Sequence, residues 1–97
     1  MGRRKMKVYL AGKIHGTTDY HERFAKYAKQ LRLEGHSVYN PAAANQEGRT
    51  RSQIMAHLLP ILCEYDAIAL IPDWLDSAGA TIETELAEYC GKKIIHL

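Results

Sequence analysis

Two cysteines, three prolines and one tryptophan are all that this 97-residue chain contains of each. Cys63 and Cys90 lie far apart and in no CxxC or other metal-ligand spacing. That excludes a metal ribbon and a disulfide-stapled miniprotein, and it predicts buried thiols in a reducing compartment. Charge of one sign is equally scarce. Thirteen Lys and Arg against eleven Asp and Glu leave +2, too weak a bias to call for a nucleic-acid polymer or a membrane surface. Mean hydropathy is −0.32, and no apolar run approaches the length of a spanning helix. The basic start, Met1-Gly2-Arg3-Arg4-Lys5-Met6-Lys7, is followed by an apolar stretch only from Val8 to Ala11, too short for the core of a signal peptide. A cytoplasmic protein is expected. Repeats and low-complexity tracts are missing as well. The composition that remains, 46% apolar and 25% charged, is that of an ordinary globular domain. The length fits a single domain over 1–97, with 1–6 as a basic tail.

Short β-type runs alternate with longer helical patterns. Lys7 to Ala11 reads as a buried strand ended by Gly12, and Ser37-Val38-Tyr39 as a second, closed by Asn40-Pro41. Asp66 to Ile71 is nearly continuous in apolar residues, which means burial on both faces as in a parallel sheet. Lys93 to His96 is the last strand. Between them, Phe24, Tyr27, Ala28 and Leu31 follow the i, i+3, i+4, i+7 spacing of one helix face. A capping box of Asp19 and Glu22 is expected before that helix, and Gly35 after it. Ile54, Met55, Leu58, Leu59 and Leu62 trace a second helix, with a kink or early stop expected at Pro60. A third runs from about Ala78 to Cys90, with Ile82, Leu86, Tyr89 and Cys90 as its apolar face. The order β-α-β-α-β-α-β predicts an α/β fold: an open parallel sheet of four strands, order 2-1-3-4, with helices on both faces in a flavodoxin- or Rossmann-like three-layer sandwich.

In such sheets ligands sit beyond the carboxyl ends of the strands, where strand order reverses. Three stretches meet there: the Gly12-Lys13-Ile14-His15-Gly16 turn, Asn40-Pro41, and the turn from Pro72 to Gly79. The glycine turn can seat a phosphate on its backbone amides or merely shape a tight turn; it matches neither the dinucleotide fingerprint nor the P-loop. Ser77 can cap the third helix and also bind a phosphate or sugar hydroxyl. Trp74 can stack on a nucleobase or anchor its loop. Glu83 borders the apolar face near the helix start. It is either a favourable acid held as an anion by the helix N-terminus, or a nucleophile facing a cleft. Tyr9 can reach the same cleft. Arg49 and Arg51 can meet a phosphate or remain solvated loop charges. The five histidines show no metal spacing, so no metal site is expected.

Val8-Tyr9-Leu10-Ala11-Gly12 with Gly16 and Asp19-Tyr20, Gly35-His36, Asn40-Pro41, and Ser77-Ala78-Gly79 with Glu83 together resemble the nucleoside 2-deoxyribosyltransferase-like superfamily. More narrowly they look like a short domain-of-unknown-function branch within it, and there is similarity to 2′-deoxynucleoside 5′-phosphate N-hydrolases. The resemblance runs from Lys7 to Leu97. It implies that Glu83 is the nucleophile at the anomeric carbon of a nucleoside or nucleotide, and that Tyr9 orients it. It implies further that Gly12 to Gly16, Asn40, Trp74, Ser77 and Gly79 line the sugar, base or phosphate pocket. No cofactor is implied, and a homodimer or higher homo-oligomer is. Relatives usually carry an aspartate on the second helix, eight positions before the residue matching Asp66; this chain has Leu58 there.

Overall fold

Parallel strands cannot be joined by tight hairpins, and the three helices of this chain serve as the crossovers. The computed structural model describes residues 5–43 and 46–97. The elements are β1 (Lys7–Ala11), α1 (Tyr20–Leu33), β2 (Ser37–Tyr39), α2 (Arg51–Cys63), β3 (Ala67–Leu70), α3 (Ala78–Tyr89) and β4 (Lys93–His96). Short 3₁₀ turns occupy Pro41–Ala43 and Trp74–Asp76. The sheet order is β2-β1-β3-β4 with every pairing parallel, the α/β architecture predicted. Most of the basic tail, residues 1–4, and residues 44 and 45 of the polar loop lie outside the described residues. Among the described residues no helix is long and apolar enough to cross a membrane.

Alternation along the strands divides the core in two. Val8, Leu10, Ala67 and Ala69 face α1, where Phe24, Ala28 and Leu31 complete a buried cluster. Tyr9, Ala11, Ile68 and Leu70 face the other way, against Ile54, Leu58 and Leu62 of α2 and Ala80 and Ala87 of α3. β1 and β3 are central and covered on both sides, which is why their sequences are nearly unbroken in apolar residues. α1 ends as its glycine predicts: Gly35 takes φ +97°, with the Gly35 N–H on the Arg32 carbonyl and the His36 N–H on the Leu31 carbonyl. That pairing satisfies carbonyls the helix leaves open, in a conformation glycine adopts without penalty.

Several expectations are corrected. Asp19 precedes α1 but makes no cap, because its carboxylate pairs with the Arg23 guanidinium one turn on. α2 does not stop at Pro60. Thr50 and Gln53 form a reciprocal capping box at its start, and the helix continues to Cys63. The Pro60 ring faces solvent, while the fully buried Leu62 ties the last turn to the core. The buried face of α3 is rotated from the expected one. Ala80, Glu83, Thr84 and Ala87 point inward, whereas Ile82 is 48% and Tyr89 90% exposed. Both thiols, expected to be buried, are free and exposed, Cys63 on the last turn of α2 and Cys90 just past the end of α3.

Candidate active site

The chain leaves β1 toward β2 on one side of the sheet and later adds β3 and β4 on the other, so strand order reverses between β1 and β3. A cleft at their carboxyl ends is the expected ligand position. The loop after β1 is fastened there by charge. Arg23 Nη2 donates to Lys13 O and to Asp73 Oδ2, both at 2.8 Å, and Asp73 Oδ1 accepts the Lys13 N–H at 3.0 Å. Asp73 lies on the turn after β3, so one carboxylate joins the two loops that flank the switch point. Gly12 allows this close approach: a Cβ there would stand 2.9 Å from the Ile71 Cβ and 3.1 Å from Asp73 Oδ1.

Ser77 caps α3, its hydroxyl accepting the Ala80 N–H at 3.1 Å. From that start the helix directs Glu83 inward, 5% exposed. The fully buried Tyr9 hydroxyl donates to Glu83 Oε2 in a short hydrogen bond, so the strand in the middle of the sheet fixes the carboxylate on the helix. Among the described residues Oε1 accepts no hydrogen bond. Burial pushes the Glu83 pKa from the usual 4.5 up to about 7, with the Tyr9 hydrogen bond pulling the other way. The expectation that the helix N-terminus holds this acid as an anion is therefore overturned. Glu83 sits in the second turn, past the reach of the end charge, and desolvation wins. The Tyr9 phenol is raised far above its ordinary value, by burial first and by the neighbouring Glu83 charge second. Tyr39 stacks on Tyr9 at 5.6 Å between ring centroids and is raised by burial, then by Tyr65 and Glu83.

Glu83 lines a recess of about 40 Å³ together with Gly12, Ile14, His15, Ser77 and Gly79. Six of the residues expected in the site thus meet in one place. The recess shares Ile14, His15 and Gln46 with the wall of an outer cleft of about 820 Å³, which Gly16, Tyr20, His21, Glu47 and Arg49 also line. Tyr9 stands behind Glu83 rather than in the recess. Three expected residues are elsewhere occupied. Lys13 is held through its backbone; Asn40 spends its side-chain oxygen on the Ala42 N–H at 3.0 Å; and Trp74 packs against the α2–α3 side of the core, 6.5 Å from the His96 ring. The rest of the wall comes from Pro41 and Leu58, both singled out in the sequence, and from Gln46, Ile54, Met55 and Ala80, which were not anticipated as site residues. Their apolar members on α2 carry only the ordinary signal of a core stripe. Gln46 is oriented by donating to the Pro41 carbonyl at 3.1 Å.

Chemically, the arrangement offers one buried carboxylate poised near neutrality, with one oxygen held and the other unengaged, at the end of a polar cleft. Among the described residues no group of three or more His, Cys, Asp or Glu is placed to hold a metal ion. No curated protein matches the chain at a significant level. A family model, described as a domain of unknown function (DUF4406), matches residues 6–96, and a match over nearly all of the sequence means that the chain belongs to the DUF4406 family.

Proposed function

We propose that the protein cleaves the N-glycosidic bond of a nucleoside or nucleotide, or transfers its deoxyribosyl group, with Glu83 as the nucleophile. The observation that carries this reading is the Glu83 carboxylate itself, buried, bonded to Tyr9 and lining a recess at the switch point of the sheet. A carboxylate close to an anomeric carbon stabilises the oxocarbenium-like transition state and can form a covalent glycosyl ester, as in retaining glycosidases. Tyr9 is a positioning residue: it fixes one oxygen and leaves the other to react. Ser77, the amides at the start of α3 and the glycine turn offer donors for sugar hydroxyls or a phosphate. The resemblance of these motifs to the nucleoside 2-deoxyribosyltransferase-like superfamily supports the same chemistry. It also carries a cytoplasmic homo-oligomer, for which the outward Leu75, Ile82 and Tyr89 provide apolar surface.

A second reading, a module that binds nucleotides without turning them over, is favoured by Leu58. This side chain puts an apolar wall where relatives usually have an aspartate. Incubation with deoxynucleosides and their 5′-monophosphates, with and without a free acceptor base, separates the two. Base released or exchanged by the wild type and not by Glu83→Gln is the expected result. Nucleotide binding without base release would replace the enzyme with the module, and neither binding nor release would sink both.

A further inference from the structure

The bond-breaking step requires more than a nucleophile. A neutral nucleobase departs as an anion unless a donor protonates it as the bond breaks, and such a donor typically contributes about 10²–10⁴-fold. Around Glu83 the recess is walled by Ile14, Pro41, Ile54, Met55, Leu58 and Ala80, none of which carries a proton to give. The Tyr9 proton is committed to Glu83, and its ring is fully buried behind the carboxylate. Tyr20, His21 and Glu47 line only the outer cleft, and the recess itself holds one other titratable side chain among the described residues, His15. It is exposed at the rim, and no hydrogen bond fixes its ring among the described residues.

Resting on the reading of Glu83 as a glycosidic nucleophile, we propose that the site takes N-glycosides whose base already carries a positive charge at the glycosidic nitrogen, a pyridinium nucleotide being the simplest. In that reaction a lone pair of Glu83 Oε1 forms a bond to C1′ as the C1′–N bond breaks. The electron pair of the broken bond returns to the ring nitrogen and cancels its charge, so the base leaves neutral and no proton is consumed. Water then attacks C1′, the ester bond breaks with its electron pair returning to the carboxylate, and one proton of the water passes to solvent. The same features favour the cation before reaction. The Glu83 charge attracts it, and the Tyr20 ring, which lines the outer cleft 4.1 Å from the His21 ring, offers an aromatic face of the kind cations prefer.

The test uses the full chain and two matched pairs, the nicotinamide and adenine 5′-mononucleotides of ribose and of 2′-deoxyribose, with released base measured by chromatography over pH 6–9. Nicotinamide is expected to leave at least about tenfold faster than adenine from the same sugar, and to stop leaving in Glu83→Gln. A smaller ratio, with release still dependent on Glu83, overturns this proposal and leaves the glycosidic reading standing. No Glu83-dependent release from any of the four overturns both.

Discussion

Replacing Tyr9 with phenylalanine removes one hydroxyl from the centre of the sheet and keeps the ring that fills it. In the wild type that hydroxyl donates to Glu83 and opposes the effect of burial, which alone would carry the acid above its value of about 7. A hydrogen bond to a charged group is worth about 1.5–3 kcal/mol, or about one to two pK units. The Glu83 midpoint in Tyr9→Phe should therefore rise to about 8–9. At pH 7 the ionised fraction then falls from about a half to a tenth or less, and base release falls about 5- to 50-fold. Activity should recover toward the wild-type level above about pH 9. Two assays check this: the pH profile of base release, and the titration of a carboxyl-labelled Glu83 followed by carbon NMR, which needs no turnover. A midpoint that stays put or moves down in the variant would refute the assignment of Tyr9 as the group that holds the carboxylate ionised.

The same acid predicts how stability varies with pH. Its folded value of about 7 lies above the ordinary 4.5, so the native state binds more protons than the unfolded one between those values. Stability from this group is thus complete below about pH 4.5 and is lost as pH rises through about 7, by about 3 kcal/mol. Glu83→Gln should escape that loss, so its advantage over wild type in urea denaturation should grow from pH 5 to pH 8; parallel curves would contradict the buried, near-neutral acid. Gly12→Ala drives a methyl against Ile71 and Asp73, the first buried and the second fixed by Arg23 and Lys13. Denaturant unfolding should show a loss of about 1–3 kcal/mol, and a change below about 0.5 kcal/mol would mean that the two loops yield more easily than their bonding implies.

Much of the architecture was legible because it rests on periodicity. The helical spacing of Phe24, Ala28 and Leu31 and the unbroken apolar run from Ala67 to Ile71 left little choice but a covered parallel sheet. The turns at the strand ends pointed to the cleft for the same reason. What escaped was governed by contacts distant in sequence. Arg23 and Asp73 are fifty positions apart, and no local pattern couples them; once coupled, they draw Asp19 into the same ionic network and leave α1 uncapped by its side chain. The face of α3 was misjudged because alanine and threonine carry a weak apolar signal, while the large Ile82 and Tyr89 carry a strong one and yet stay outside. Apart from Leu58, the recess wall on α2 was invisible as a site because Ile54 and Met55 look like any core stripe. The capping box of Thr50 and Gln53 was present in the sequence, hidden at the end of a polar stretch.

Small side chains under α3 have an effect of their own. A helix seated on Ala80, Thr84 and Ala87 can settle nearer its sheet than one resting on leucines, because interaxial separation follows the bulk at the contact. These residues act as a thin shim. The span between the nucleophile and its tyrosine is thus set by groups of one to three heavy atoms, two of which, Thr84 and Ala87, lie away from the recess. Chains that thicken the shim with valine or leucine at those two positions would lift the carboxylate off its anchor without altering a single atom that meets a ligand.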